Sequence, residues 1–199
     1  MSNIANIFNN MREISLENMK ISDNGAIIIA DALKTNTTLT KLSLDWNNIG
    51  DVGACALAEA LKVNTTLKVL CLGFNHIKYI GACAIADALK VNKSLEVITF
   101  ERNEFYDYGT CALADMLKVN TTLRKIDLRW NEIRNDGARA LADALKVNTT
   151  MEKIHLRWNC ISDDNVFDDV EKYRINNYYD KNLCNKTEIS INSTKSIII

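Results

Sequence analysis

The sequence predicts an α/β solenoid, a stack of units with short parallel strands on one side and helices on the other. An asparagine recurs every 28 residues, five times in succession: Asn47, Asn75, Asn103, Asn131 and Asn159. Apolar residues keep the same spacing around each asparagine, and an alanine-rich segment with helical periodicity follows. Such a repeat builds a broad continuous surface, which favours binding over catalysis.

The second unit shows how each repeat is expected to form its strand. Leu42 and Leu44 lie two residues apart, so both side chains point to the same side of an extended segment. Leu39 and Ile49 flank that segment and point the same way. The asparagine follows where the chain turns away from the strand. Because an amide donates and accepts hydrogen bonds, a buried asparagine column can satisfy backbone groups that neighbouring turns leave unpaired.

The segment after each strand predicts a helix that packs back against it. In the second unit Asp51 is a good N-cap residue, and Asn64 is suited to a left-handed cap at the other end. The inward positions recur at helical spacing: Ala54, Leu57, Ala58 and Leu61. Because two of these residues are alanines, the helix can approach the strand closely.

This order of strand, loop, helix and loop resembles the leucine-rich repeat family. The resemblance is to the 28-residue type found in ribonuclease inhibitor and in the repeat domains of NACHT-type immune receptors, and it covers residues 11–161. It implies a horseshoe segment of five to six repeats, with parallel strands on the concave face and helices on the convex face. The first unit has Met19 at the asparagine position, so we expect it to act as a cap.

The rest of the chain divides into three segments. Residues 1–10 are predicted to form an N-terminal extension. After Ile161 the repeat phase is lost, and residues 162–180 predict a C-terminal capping helix because acidic and basic residues surround a few apolar ones. Asparagine, serine, threonine and lysine dominate residues 181–199, which predicts a flexible tail.

The six cysteines predict free thiols rather than a disulfide or metal column. Cys55, Cys83 and Cys111 occupy one helical position in successive units. Adjacent helices lie roughly 10 Å apart, whereas a disulfide requires α-carbons within about 7 Å. The next unit has Arg139 at this position, and no C-x-x-C pair occurs. Free thiols fit a reducing compartment, and we expect a cytoplasmic protein.

Five repeat-spaced sequons match the glycosylation motif of secreted proteins but have a structural explanation: Asn36, Asn64, Asn92, Asn120 and Asn148. Each asparagine ends a predicted helix and is followed by turn-forming Thr or Lys-Ser. Met1–Asn10 has neither the basic start nor the apolar run of an export signal. No segment approaches the roughly 20 apolar residues of a membrane span.

No catalytic constellation is evident in the sequence. The two histidines, His76 and His155, have no partner at a recognisable spacing, and nothing near Cys71 or Cys160 indicates an activated thiol. All seven glycines are single, so no phosphate-binding loop is present. We therefore predict a protein that is not an enzyme and that uses no cofactor and no metal.

Candidate binding residues lie at strand positions that face away from the core. The position before each asparagine carries an aromatic residue, interrupted once by arginine: Trp46, Phe74, Arg102, Trp130 and Trp158. The last two units add basic residues: Lys125, Arg129, Lys153, His155 and Arg157. Aromatic and arginine side chains on an exposed sheet are typical of binding hot spots. The last two tryptophans should lie roughly 5 Å apart and form one platform.

An alternative is that tryptophan is simply a packing residue favoured at this position of the repeat. We favour a monomeric interaction scaffold that binds an acidic or phosphorylated protein segment at the basic units. Nucleic acid is disfavoured, because Asp127 and Glu152 dilute the basic patch and the net charge is −1. The resemblance also leaves open an enzyme regulator, either a small-GTPase activator or a nuclease inhibitor. Catalysis through Cys71 or Cys160 is a third hypothesis.

Overall fold

Six strands alternate with five helices along residues 11–163, the part of the chain that the computed structural model describes. The strands are β1 (Glu13–Ser15), β2 (Lys41–Ser43), β3 (Val69–Cys71), β4 (Val97–Thr99), β5 (Lys125–Asp127) and β6 (Lys153–His155). The helices are α1 (Asp23–Thr35), α2 (Asp51–Val63), α3 (Tyr79–Val91), α4 (Tyr106–Leu117) and α5 (Asn135–Leu145). The strands form one parallel sheet in sequence order, which confirms the predicted α/β solenoid.

Every strand pairs with the next in the same register. Leu42 lies opposite Leu70, and Leu70 opposite Ile98, so equivalent residues of successive repeats are neighbours across the sheet. The predicted inward positions of strand and helix are completely buried, as Leu44 and Leu57 show. The core is therefore a continuous layer between the sheet and the helices, and the opposite face of the sheet carries the residues that vary.

The repeating asparagines form a ladder of hydrogen bonds between repeats. The Asn47 side-chain oxygen accepts from the backbone N–H groups of Met19 (3.1 Å) and Ile21 (2.9 Å). Its side-chain nitrogen donates to the carbonyl oxygens of Leu16 and Leu44, both at 2.9 Å. Each amide thus links its own turn to the turn of the preceding repeat, as the sequence predicts. We call this set the asparagine ladder.

A second asparagine column joins the helix ends, and here one prediction is wrong. Asn64 has φ −73° and ψ 129°, which is extended and not left-handed. Its side-chain oxygen accepts from the N–H of Leu67 (2.8 Å), and its nitrogen donates to the carbonyl of Leu33 (2.8 Å) in the preceding repeat. The side-chain bonds hold the turn, so a left-handed residue is not needed. Since Asn92 and Asn120 make the same bonds, this column gives the sequons a structural role.

The prediction that Asp51 is the N-cap of its own helix is also wrong. Gly50 is the N-cap residue of α2, and Asp51 is the first residue of the helix. The Asp51 carboxylate accepts from the N–H groups of Lys78 and Gly81, both at 2.8 Å, at the start of α3. Each aspartate at this position therefore caps the helix of the following repeat. The sequence of a single repeat does not show this, because donor and acceptor lie in different repeats.

The fourth repeat departs from this pattern. Tyr79 of the preceding repeat takes the place of the capping aspartate, and the following helix begins at Tyr106, whose φ is 51°. The buried rings of Phe100 and Phe105 lie 4.8 Å apart where the other repeats carry smaller aliphatic residues. In the next repeat, the side-chain oxygen of Asn131 is buried without a hydrogen bond. Two large rings therefore reshape one loop while the register of the sheet is kept.

The predicted terminal segments lie largely outside the described residues. These are the extension at 1–10, the tail at 181–199 and all but two residues of the capping segment at 162–180. The two residues that are described continue the capping pattern, because the N–H groups of Ser162 (3.0 Å) and Asp163 (3.2 Å) donate to the Asn135 side chain. The extension, the capping helix and the tail therefore stay predictions.

The asparagine ladder can be tested with two adjacent residues. We expect Asn47→Ala to lower the free energy of unfolding by about 2–4 kcal/mol, because it leaves several buried backbone groups without partners. Asn48→Ala removes an exposed side chain beside it and should change stability by less than about 0.5 kcal/mol. Urea denaturation followed by circular dichroism measures both values. Equal losses in the two variants would contradict the ladder's role.

The capping of one helix by the preceding repeat gives a second test. Asp51→Ala should cost about 1 kcal/mol of stability and should speed amide exchange at Gly81, whose N–H loses its acceptor. Asp87→Ala is the matched control, because Asp87 makes only an exposed ion pair with Lys90 on its own helix. Unchanged amide exchange at Gly81 in Asp51→Ala would contradict this capping of one helix by the preceding repeat.

Candidate partner-binding face

The concave face of the sheet carries rows of aligned side chains. Because the strands share one register, equivalent outward positions lie side by side across the repeats. The row nearest the strand starts is Glu13, Lys41, Val69, Val97, Lys125 and Lys153. The middle row is Ser15, Ser43, Cys71, Thr99, Asp127 and His155. Ser43 to Asp127 in this middle row are buried, so the exposed chemistry lies in the flanking rows.

The predicted tryptophan pair forms a stack at one end of the face. The ring centroids of Trp130 and Trp158 lie 5.4 Å apart with planes 19° from parallel, close to the expected spacing. At the other end, Trp46 and Phe74 stack more tightly, at 3.8 Å and 11°. The rings face one another along the solenoid, so each stack presents ring edges to solvent.

Arg102 joins the two aromatic pairs instead of interrupting them. Its guanidinium carbon lies 4.7 Å from the Trp130 ring centroid and 5.6 Å from the Phe74 ring centroid. A guanidinium is planar and stacks on aromatic faces, so it can take the place of a ring between two aromatic side chains. Sequence reading treated Arg102 as a break, whereas the structure shows one continuous row. We call it the concave stack: Trp46, Phe74, Arg102, Trp130 and Trp158.

Every member of the concave stack has a left-handed backbone, with φ between 54° and 59°. The backbone N–H groups continue the sheet beyond the strands, since Trp46 donates to the carbonyl of Gly73 (3.0 Å) and Phe74 to that of Glu101 (2.7 Å). Asn18 holds the same conformation in the first repeat. A left-handed conformation costs roughly 1–2 kcal/mol for most residues, and asparagine is among those that tolerate it best. Sequence reading missed this constraint.

The basic residues of the last two repeats come together, but they differ in availability. We name Lys125, Arg129, Lys153 and Arg157 the basic end. The Arg129 guanidinium bonds the Asp127 carboxylate, with Nε 2.9 Å from both carboxylate oxygens, so much of its charge is compensated within the chain. The Arg157 side chain is exposed, while Lys125, Lys153 and His155 are half-buried.

Two carboxyl groups that sequence reading did not single out lie beside the concave stack. The Asp45 carboxylate accepts from the N–H of Gly73 (2.6 Å) and the hydroxyl of Ser43 (3.2 Å). A Cβ added at Gly73 would lie 2.8 Å from the Glu101 carboxyl carbon, so glycine leaves the space that Glu101 occupies. One Glu101 oxygen, Oε2, is buried there without a hydrogen bond. Gly73 is the only glycine among the equivalent positions Asp45, Gly73, Glu101, Arg129 and Arg157, and this was the sequence signal for the arrangement.

Burial raises the pKa of both carboxyl groups. The pKa of Asp45 rises from 3.8 to about 6, and the pKa of Glu101 rises from 4.5 to about 7. Neighbouring negative charge adds to the effect of burial, chiefly Glu17 for Asp45 and Asp127 for Glu101. The middle of the concave face therefore carries acids whose charge changes near neutral pH.

The cysteines correct one prediction and weaken a catalytic hypothesis. Cys55, Cys83, Cys111 and Cys160 are free thiols, as predicted, whereas Cys71 is disulfide-bonded. Cys71 lies on a strand, where the helix spacing of roughly 10 Å does not apply. Burial raises the pKa of the Cys55, Cys83 and Cys111 thiols, which disfavours the reactive thiolate.

Two further observations describe residues 11–163 only. No three histidine, cysteine, aspartate or glutamate side chains in this part of the chain converge as metal ligands would. No helix in the same part is both long and apolar enough to cross a membrane.

Comparison with known proteins agrees with the class of fold. The family profile described as "Leucine Rich repeat" matches residues 35–58, 63–86, 119–142 and 147–164. The chain therefore contains leucine-rich repeats, arranged as an α/β solenoid with the parallel strands on its concave face. No curated protein sequence gives a significant match.

Two solved structures with the same fold are similar over most of the chain. One is described as "Leiomodin-1 Actin-Binding Site 2", with a TM-score of 0.62 and 20% identity, covering 86% of this chain and 83% of that chain. The other is the C-terminal domain of tropomodulin from Caenorhabditis elegans, with a TM-score of 0.62 and 17% identity, covering 74% and 92%. At this level of identity the likeness shows the fold.

The buried carboxyl groups predict a pH dependence of stability. Between about pH 4 and pH 7 the folded state holds protons that the unfolded chain has lost, so stability falls as pH rises through this range. Glu101→Gln removes the larger contribution. We expect this variant to gain on the order of 2 kcal/mol relative to wild type between about pH 4 and pH 8, measured by urea denaturation. Glu59→Gln, on an exposed helix surface, should show no such gain. The same gain in both variants would contradict the assignment.

Proposed function

We propose that the chain is a non-catalytic scaffold that binds a partner protein through its concave strand face, with the concave stack and the basic end as the main contact surface. The observation that carries this proposal is the row of exposed aromatic side chains at left-handed backbone positions. Trp46 is 52% exposed, Trp130 is 44% exposed and Trp158 is 47% exposed.

The backbone does not demand aromatic residues at these positions. Asn18 occupies the equivalent place in the first repeat with the same conformation, so a small polar residue satisfies the turn. Stacking contributes about 0.5–1.5 kcal/mol per aromatic pair, which offsets part of the cost of the left-handed conformation. Stacking alone does not explain why the edges of the indole rings are exposed to solvent. Exposed tryptophan with neighbouring arginine is the composition of binding hot spots, and this supports a partner surface.

The charges beside the last two rungs support an acidic or phosphorylated segment as the preferred ligand. Arg157 is exposed, and Lys125 and Lys153 lie one strand apart in the same row. Guanidinium and ammonium groups bind carboxylates and phosphates through charge-assisted hydrogen bonds. Arg129 contributes less, because Asp127 already binds it. The negative charge of Asp127 also lowers the positive charge of this surface. This disfavours nucleic acid, whose binding depends on positive charge, more than it disfavours a protein partner.

Actin is the partner to assay first, because a neighbour in the solved structures is named for an actin-binding site. The enzyme-regulator alternative, as a small-GTPase activator or a nuclease inhibitor, rests on the finer resemblance to ribonuclease-inhibitor-like repeats. An effect on GTP hydrolysis or nuclease activity at stoichiometric concentration would favour that alternative. We further propose a monomer in the cytoplasm. The four free thiols support a reducing compartment, and the disulfide at Cys71 counts against it.

The proposal is tested with a tryptophan pair and a matched aromatic pair elsewhere. We expect Trp130→Leu/Trp158→Leu to weaken partner binding at least about tenfold, because two exposed aromatic anchors are truncated. Tyr79→Leu/Tyr108→Leu removes two exposed rings in contact with each other at the helix starts and should leave binding unchanged. Co-sedimentation with filamentous actin and quantitative affinity capture from a cell lysate report binding, and urea denaturation confirms that each variant is folded.

Two results would count against this proposal. One is a folded tryptophan variant that retains every protein captured by the wild-type chain. The other is a tyrosine variant that loses the same proteins as the tryptophan variant, which would move the site to the helix side.

A further inference from the structure

We propose that the ligand of the concave face is a two-signed protein segment, with basic side chains over repeats 1 and 2 and acidic or phosphorylated side chains over repeats 5 and 6. This inference rests on the proposed function and specifies the partner more closely. The observation behind it is the distribution of charge across the sheet from β1 to β6, because a single basic site does not account for the acidic residues at the other end.

The face has an acidic end opposite the basic end. Glu13 and Glu17 of the first repeat are exposed, and Asp45 lies next to Glu17 in the same row of the following repeat. We name Glu13 and Glu17 the acidic end. Asp45 is buried and accepts hydrogen bonds from Gly73 and Ser43, so it adds no accessible charge. Within the rows named above, Lys41 lies opposite Glu13 and reduces the negative charge of this end, and Asp127 reduces the positive charge of the other. The acidic end therefore keeps an excess of negative charge and the basic end an excess of positive charge.

The middle of the face separates the two ends instead of mixing them. The row nearest the strand starts carries Val69 and Val97 there, both uncharged. Gly73 leaves space for the Glu101 carboxyl, which folds inward and has one fully buried oxygen. Arg102 is held between two rings of the concave stack. Of the two central charges, the Glu101 carboxyl is thus turned inward and the exposed Arg102 guanidinium is stacked between rings, whereas Glu13, Glu17 and Arg157 are exposed at the two ends.

The sheet sets the spacing that the ligand must have. Five strand steps separate β1 from β6, and at about 4.8 Å per step the ends lie roughly 24 Å apart. An extended segment spans that distance with about seven residues at roughly 3.3 Å each. An α-helix needs about 16 residues at 1.5 Å each. The concave stack runs parallel to this path, so its ring edges can contact apolar side chains between the two charged groups.

Charge complementarity of this kind favours one orientation of the ligand. A segment bound in the reverse direction would place like charges together at both ends, which is unfavourable. A purely acidic segment would gain at the basic end but would meet Glu13 and Glu17 if it extended across the face. Opposite charges at the two ends of the ligand therefore raise its affinity and fix the direction in which it binds across the sheet.

Two labelled peptides of equal length test the inference. The bipolar peptide carries a triglutamate and a trilysine separated by about seven glycine and serine residues. The acidic peptide has serines in place of the lysines. We expect fluorescence anisotropy at low ionic strength to show about fivefold tighter binding of the bipolar peptide by the full chain. Glu13→Gln/Glu17→Gln should abolish that difference. Asp87→Asn/Asp115→Asn, which removes two acids from α3 and α4, should preserve it.

The outcomes separate this inference from the proposed function. Lys153→Gln/Arg157→Gln should weaken both peptides, and failure to do so would contradict the proposed basic site itself. If that variant behaves as expected but wild type binds both peptides equally, the two-signed ligand is wrong and the proposed function stands. A difference that persists in Glu13→Gln/Glu17→Gln would also overturn the inference, as would failure of the bipolar peptide to bind. Concentration-dependent dimerisation that this glutamate variant abolishes would instead assign the acidic end to self-association.

Discussion

Hydrogen bonding by buried asparagine side chains between repeats is the interaction on which the rest of the structure depends. The strands are only three residues long, so their own pairing is too short to fix the stack. The Asn47 amide bonds turn carbonyl and N–H groups of two repeats at once, and Asn64 does the same at the helix ends. These bonds satisfy backbone groups that would otherwise be buried unpaired, and they hold successive repeats in one register.

A fixed register turns sequence positions 28 residues apart into neighbours. Residues that look isolated along the chain, such as Phe74 and Arg102, then meet as rungs of one stack. The same alignment places the Glu101 carboxyl over Gly73, where burial raises its pKa. The framework is therefore uniform, and the chemistry lies in the outward positions that differ from repeat to repeat. Binding rather than catalysis is the function that such rows support best, because they spread contacts across several strands.

Much of this arrangement follows from the sequence, and the errors share one cause. The strands, the helices, the asparagine ladder and the spacing of Trp130 and Trp158 were predictable from periodicity alone. Asp51 and Asn64 were assigned to their own helix, although their partners lie in the adjacent repeat. Local reasoning about caps omits a neighbour that only the stack supplies. The left-handed backbone before each asparagine and the inward fold of Glu101 were missed, because both depend on contacts across the sheet.

The central claim is that a partner protein contacts the concave face, and cross-linking tests it most directly. Lysines mark both sides of the solenoid. Lys41, Lys125 and Lys153 lie on the strands, and Lys62, Lys90, Lys118 and Lys146 lie at the helix ends. An amine-reactive cross-linker applied to captured complexes, followed by mass spectrometry, should give intermolecular links concentrated at the strand lysines. Links concentrated at the helix-end lysines would contradict the account and place the partner on the convex side.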